Sequence, residues 1–349
     1  MRIGGPRGAD GLELDGRPRR VLFICEDAIG DLLLTLPAIR AIAESSPGTT
    51  VDLLTSEYAV DLVRELPYIR DTIVFPRYDR RRVRAGLAML RRGRYDAVVD
   101  GMVLRTHVRT RSVALMLGAR AAVWIGEAGR PNDHVYSLPV APAAVGTTHS
   151  ARMMRLAEPF LNHGAAPTLR ARLVITKLEQ ARATTAWAAT NATGRRIVVN
   201  LSASCPERRW PDEKFAAVLD RVRARRDRAA IIVVGLPRDA ASVEALAARV
   251  GAHGIVPTLR ELIALVASAD LVLSPDTAVC HMASAFERTL ISLNLADHEV
   301  WAPYDTPGER VIGPSAETLD GLEADAVIRA LDAVLTLPRA QHQSVDAAG

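Results

Sequence analysis

Short runs of branched apolar residues alternate along the chain with longer stretches whose apolar side chains return every three or four positions. A run of the first kind suits a strand covered on both faces, and a stretch of the second suits a helix packed on it. The alternation predicts βα units around parallel sheets, an α/β fold. In the first half the expected strands are residues 21–25, 51–55, 71–75, 97–101 and 121–126. In the second half they are 196–202, 230–235, 253–257, 271–274 and 289–294. Five and five predicts two similar lobes.

A chain of 349 residues is long enough for two hydrophobic cores, since one rarely grows past about 250–300 residues. The boundaries read as a flexible tail over 1–19, a first lobe over 20–170, a linker over 171–195, a second lobe over 196–316, a helix over 317–337 that crosses back to the first lobe, and a tail over 338–349. The linker assignment rests on its polar, threonine-rich composition and its ending "NATGRR".

Hydrophobic residues make up 49% and charged residues 24%, the balance of a globular protein with sizeable cores. The opening twenty residues are rich in Gly, Pro and Arg without the apolar centre of an export signal, which predicts a cytoplasmic protein. No stretch reaches the roughly 18 apolar residues that a membrane span requires. Cys25, Cys205 and Cys280 are odd in number and far apart, which fits neither a disulfide framework nor zinc ligands. Net charge is +4, and Lys177 and Lys214 are the only lysines, so cationic contacts fall to arginine. The run 77–96 is arginine-rich and suits either a solvated helix face or peripheral contact with an anionic membrane or acceptor. Aromatic residues are 4% and none interleave those arginines, so nucleic acid is not expected as a partner.

Ligands of open parallel sheets bind beyond the carboxyl ends of the strands, and three strand-to-helix junctions draw attention. In "ICEDAIGDLLLTLPAIRAIAE", Leu32, Leu33, Leu36, Ile39 and Ile42 mark a buried helix face, Pro37 kinks or restarts that helix, and Asp31 stands in its first turn after Gly30. An acid there either caps the helix or serves as an acid or base toward a ligand. In "VVNLSASCPERRWPDEKFAAVL", Ser202, Ser204, Arg208 and Arg209 gather on one loop before a helix opened by Trp210-Pro211. Hydroxyls and guanidinium groups in such a loop suit a diphosphate, although a solvated loop has the same composition. In "SPDTAVCHMASAF", Asp276 or Thr277 caps a helix whose first N–H groups form an anion site, and His281 follows within it. Motifs of P-loop NTPases, dinucleotide dehydrogenases, zinc proteases and serine hydrolases are absent, as is the D-x-D pair that holds a divalent cation on a sugar diphosphate.

Taken in order, "IGDLLLTLPAIRAI", "ERRWPDEKFAAVL" and "SPDTAVCHMASAF" resemble the ADP-heptose:lipopolysaccharide heptosyltransferases, glycosyltransferase family 9. The resemblance runs from about residue 20 to 335. It implies a GT-B fold with two Rossmann-like lobes whose sheets face a central cleft, and inverting transfer that needs no metal or other cofactor, with an ADP-sugar as donor substrate. It further implies Asp31 as general base, with Gly30 on the acceptor side. Ser202, Ser204, Arg208, Arg209, Asp276, Thr277, Ala278 and His281 would line the donor site, and Gly235 and Thr258 would lie near ribose and base. The partners implied are a nucleotide-sugar donor and a glycan or small-molecule acceptor, lipopolysaccharide core or a natural product.

The sequence departs from the family pattern in three places. Arg208 replaces a lysine, Ala278-Val279 stands where Gly-Pro is common, and "LNLADHEVW" replaces a Phe-Gly turn. A sugar-nucleotide epimerase of the same two-lobe fold and a non-catalytic nucleotide-sugar-binding protein are the alternative readings.

Overall fold

The computed structural model describes residues 19–74, 80–103, 108, 110–161, 167–225, 228–296 and 299–336. Residues 1–18 and 337–349 of the expected tails and terminal helix, 77–79 of the arginine-rich run, and Asp297 and His298 lie outside them. The chain divides into two compact units, Met1–Ala171 and Arg172–Gly349.

The first unit runs β1 (Arg20–Cys25), α1 (Ile29–Glu44), β2 (Thr50–Thr55), α2 (Val60–Val63), β3 (Asp71–Val74), α3 (Arg80–Gly93), β4 (Ala97–Asp100), α4 (Thr110–Ala119), β5 (Val123–Glu127), β6 (Leu138–Val140) and α5 (His149–Arg155). Its sheet has the order β3-β2-β1-β4-β5-β6, every pair parallel. Successive strand residues point to opposite faces. Leu22 and Ile24 therefore join Leu90, Leu115 and Met116 in one core, while fully buried Val21 and Phe23 face the side where α1 and α5 pack together. Gly101 permits that second packing, because a Cβ there would stand 2.5 Å from Phe23 Cε1 and 3.2 Å from Met153 Cε.

The second unit runs α6 (Lys177–Ala188), β7 (Arg196–Asn200), α7 (Asp212–Arg223), β8 (Ala230–Val234), α8 (Ala240–Val250), β9 (His253–Ile255), α9 (Leu259–Ala267), β10 (Leu271–Pro275), α10 (Ala278–Ala285), β11 (Thr289–Asn294), β12 (Gly308–Ile312) and α11 (Ala324–Thr336). Its parallel sheet has the order β12-β11-β10-β7-β8-β9, the same winding as the first. One core joins Ile197, Val199, Ile231 and Val233 to α7, α8 and α11.

Each sheet thus has six strands where the pattern predicted five. The additional ones are edge strands of the kind that carry little hydrophobic signal: β6 is three residues with a proline inside, and β12 is largely exposed and charged. Helix α1 continues through Pro37 rather than restarting there. Residues 171–195, expected as a linker, contain α6, opened by a capping box between Thr176 and Glu179. That helix packs on α9, where Arg260, 8% exposed at its side chain, donates to both Glu179 oxygens at 2.7 and 2.6 Å. The terminal helix α11 lies on the second unit's own core through Val327, Leu331 and Val334.

Trp210 anchors the loop that enters α7. Its fully buried ring stands edge-on to Phe215 with centroids 4.8 Å apart, and its Nε1–H donates to the Leu322 carbonyl at 3.0 Å. Trp210→Ala is expected to destabilise the second unit by about 3–5 kcal/mol through the cavity it leaves, the Leu322 carbonyl keeping its second donor, Lys214 Nζ at 3.0 Å. Thermal denaturation followed by circular dichroism checks it, and an unshifted transition would refute the anchoring role.

Candidate active site

Each sheet reverses its winding beside its first strand, between β1 and β4 in one unit and between β7 and β10 in the other. Ligands of doubly wound sheets bind at such switch points, beyond the carboxyl ends of the strands. All three junctions singled out in the sequence lead from these strands, β1, β7 and β10.

Beyond β1 the chain carries two buried acids, Glu26 and Asp27, before entering α1. Asp31 is half-buried in the first turn of that helix, and its Oδ2 accepts the backbone N–H of Ala28 at 3.2 Å. Its own carbonyl accepts the Thr35 hydroxyl at 2.7 Å. The carboxylate is therefore held at the helix mouth. Gly30, also half-buried, immediately precedes it.

Around this mouth lies a set of acids that sequence reasoning missed. Glu26 is forked by Arg111, with Nε and Nη2 each 2.6 Å from a carboxylate oxygen. Asp100, at the end of β4, accepts the Tyr136 hydroxyl at 2.7 Å, and Tyr136 in turn accepts from Arg130 at 3.1 Å. Burial pushes the Asp100 carboxyl above the usual carboxylate range, against the lowering effect of these donors. Glu127, at the end of β5, is paired with Arg152. Burial alone would raise Glu127, but the Arg152 guanidinium holds it below the usual range. A signal was available: "ICE", "VVD" and "WIGE" each place an acid within one residue of the end of a predicted strand.

In the second unit Asn200 is the connecting residue. Its Nδ2 donates to the Ser202 carbonyl at 3.0 Å, the Ser274 hydroxyl at 3.0 Å and the Thr277 hydroxyl at 3.3 Å, and its Oδ1 accepts the Ser202 N–H at 3.2 Å. The loop after β7 is thereby tied to the cap of α10. Thr277 is that cap, its hydroxyl accepting the Val279 N–H at 3.3 Å. Buried Asp276 donates its N–H to the Leu293 carbonyl at 2.9 Å, and half-buried Ala278 opens the helix.

The Ser202 hydroxyl accepts the Leu236 N–H at 2.6 Å and donates to Asp239 Oδ2 at 2.6 Å. Arg209 donates to Asp239 Oδ1 at 2.7 Å, to Asp212 at 2.8 Å and to Ser242 at 3.0 Å. Both side chains thus join the loops after β7 and β8 through Asp239, a second residue absent from the sequence reading. Gly235 sits inside this joint, where an added Cβ would lie 2.7 Å from Val243 Cγ2 and 3.3 Å from Ser202 Oγ. Exposed Ser204 precedes, and half-buried Arg208 closes, a short turn, Pro206–Arg208, on the loop between Ser202 and Arg209. Thr258 stands apart from this network, its hydroxyl engaged with Glu261 in the capping box of α9.

His281 is 6% exposed, and its Nδ1 has no hydrogen-bond partner among the described residues. Burial lowers its pKa to about 4, so the ring is neutral at neutral pH. Burial likewise pushes the Cys25 and Cys280 thiols up to about 12, which leaves both protonated and unreactive. Among the described residues, no group of three or more His, Cys, Asp and Glu side chains is arranged to hold a metal ion, and no helix is long and apolar enough to cross a membrane.

A family model described as glycosyltransferase family 9 (heptosyltransferase) matches residues 83–317, more than half of the chain. The chain belongs to glycosyltransferase family 9. This family 9 enzyme is similar in structure to a family 9 glycosyltransferase from Veillonella parvula, with TM-score 0.79 and 17% identity over 93% of this chain and 99% of that one. It is also similar to ADP-heptose lps heptosyltransferase II of E. coli, with TM-score 0.70 and 17% identity over 91% and 98% of the two chains. E. coli heptosyltransferase WaaC, solved with ADP, gives TM-score 0.68 and 20% identity over 91% and 98%, and has also been solved with ADP-2-deoxy-2-fluoro heptose. At these identities the likeness carries the fold, which is GT-B: two α/β units, each with a parallel six-stranded sheet. No curated protein sequence matches the chain.

Two substitutions probe the second-unit geometry of this glycosyltransferase. Gly235→Ala forces Val243 or the Ser202 hydroxyl to move and is expected to cost about 1–3 kcal/mol, read as a lowered denaturation midpoint. For His281, the unfolded ring takes up a proton near pH 6.5 and the folded ring only near 4. The unfolded state therefore binds more protons between those values, so stability falls as pH drops through that window, by up to about 1.4 kcal/mol per pH unit. Denaturant titrations from pH 7 to 4 should show this slope, and it should be smaller in His281→Gln.

Proposed function

We propose that this glycosyltransferase moves heptose from ADP-heptose onto an acceptor hydroxyl, with inversion at the anomeric carbon and Asp31 as general base. The observation that carries the reading is the position of Asp31: a half-buried carboxylate fixed by the Ala28 N–H just beyond β1 at the switch point of the first sheet. A carboxylate so placed suits proton removal from a hydroxyl that attacks a bound sugar.

In this mechanism the acceptor oxygen forms its bond to the anomeric carbon from the face opposite the nucleotide. Asp31 takes the hydroxyl proton, and the bond from the anomeric carbon to the diphosphate oxygen breaks, its electron pair leaving with ADP. Ser204, Arg208 and the N-terminal turn of α10, with Asp276, Thr277 and Ala278, receive the diphosphate. A guanidinium and helix N–H groups offset the charge that grows on the leaving group. Ser202, Arg209, Gly235 and neutral His281 hold the shape of that site. Thr258 stands toward the nucleoside end, at the start of α9. The donor assignment draws support from two relatives: one is named as an ADP-heptose transferase, and the other was solved with ADP and with a fluorinated ADP-heptose. A lipopolysaccharide-core hydroxyl is the acceptor proposed.

Asp31→Asn keeps an oxygen for the Ala28 N–H, so the helix mouth is preserved while the base is lost. Turnover of ADP-heptose is expected to fall by about 10²–10⁴, with ADP affinity by calorimetry unchanged within about twofold. Unchanged turnover would overturn the role of Asp31. Selective binding of UDP or GDP over ADP by the native protein would overturn the donor and leave Asp31 standing.

A further inference from the structure

The first unit has a second opening, at the edge of the sheet opposite Asp31. It is a cavity of about 380 Å³ lined by residues at the starts of β1 and β3 and the last turn of α3, within the range of about 300–1,000 Å³ typical of small-molecule sites. The five steps between the six residues of β1, at about 3.3 Å each, separate it from the carboxyl edge by roughly 17 Å.

Its interior is organised around a buried acid. Asp52, in β2 and 2% exposed, accepts Arg70 Nε at 2.7 Å and the Tyr95 hydroxyl at 2.7 Å, and it also pairs with Arg70 Nη2. The Arg70 guanidinium offsets the charge of the carboxylate, so the acid repels an incoming anion little. These contacts also fix the Arg70 guanidinium, which remains 34% exposed. Two more lining arginines, Arg20 and Arg92, make no side-chain hydrogen bond or ion pair among the described residues. Cations in the last turn of a helix are favoured by its dipole, which accounts for Arg92. Arg20 begins a strand and has no such reason. The helix beside the cavity adds to the positive field, because residues 84–94 contain four arginines and no acid.

The remaining lining is mixed. Met89 is 44% exposed and Ile73 lies beneath, a surface for the C–H face of a ring. Asp71 at the rim uses Oδ1 for the Thr72 N–H at 2.9 Å, and its carboxylate has further lone pairs for ligand hydroxyls. Three guanidinium groups, an apolar patch and a hydroxyl acceptor fit a small phosphorylated polyol better than a bare anion.

We propose that this cavity binds a sugar-phosphate monoester, with the phosphate between Arg20, Arg70 and Arg92 and the sugar over Met89. The site lies on the far side of the sheet from Asp31, and its ligand takes no part in the transfer chemistry.

The test is equilibrium dialysis of the full chain against radiolabelled ribose 5-phosphate at low ionic strength, with ADP present in saturating amount. One equivalent should bind saturably, inorganic phosphate should compete more weakly than the unlabelled ester, and the double variant Arg20→Gln/Arg92→Gln should bind about tenfold or more weakly. Its melting midpoint and ADP affinity should stay native, since neither guanidinium supports the fold. Three outcomes would overturn the site: no saturable binding, binding that appears only when ADP is left out, or equal binding by the double variant. Phosphate competing as well as the ester would overturn the assignment of a sugar.

Discussion

A parallel strand cannot be joined to its neighbour by a tight turn. Each crossover must climb over a face of the sheet and return to the same starting edge, and the crossovers are right-handed. In both units of this chain that constraint sends every strand's exit to one edge. It also covers the sheet on both faces, as the fully buried residues of β1, β8 and β10 record. Because each winding begins in the middle of its sheet and reverses there, two exits diverge beside the first strand and leave a gap between their helices. Asp31, Asn200 and Thr277 all belong to strands or helices that border such gaps.

The two gaps are stabilised differently. In the first unit, three strands end on an acid or are followed directly by one, and the loops around them are held by ion pairs and hydrogen bonds from Arg111, Arg130, Arg152 and Tyr136. A buried carboxylate without such partners would cost several kcal/mol, so each pairing fixes a loop as well as a charge. In the second unit the corresponding edge is built at its centre mainly from neutral groups, beside one buried acid, Asp276. Asn200, Ser202, Ser274 and Thr277 exchange hydrogen bonds, and the charged pair joined to them through Ser202, Asp239 and Arg209, lies at the flank. An edge rich in hydroxyl and N–H donors suits an anionic ligand, and an edge lined by paired acids suits a hydroxyl to be deprotonated. This division agrees with the roles proposed for the two units.

The polar groups at the opposite edge of the first sheet follow another logic. Asp52 is buried within a strand whose other residues are apolar or threonine, and replacing such an ion pair by apolar residues is often neutral or stabilising. Packing alone gives no reason for its presence, whereas a guanidinium held rigid at the wall of a cavity does.

Hydrophobic periodicity by itself determined the α/β class, ten of the twelve strands among the described residues, their grouping into two sheets and the three junctions that carry Asp31, Arg208 and Thr277. All of these depend on local burial, which leaves its mark within a few neighbouring residues. The two edge strands escaped because an edge needs little apolar surface, and α6 escaped because its stability rests on a capping box and on Arg260, a residue 81 positions away from Glu179. Only the tertiary structure decided that Ser202 and Arg209 turn toward Asp239, that Asn200 joins two loops, and that Arg111, Tyr136 and Arg152 meet Glu26, Asp100 and Glu127. Those contacts link residues that the crossovers bring together only after the sheet has formed, and a carboxylate's partner cannot be read from the residues beside it in the chain.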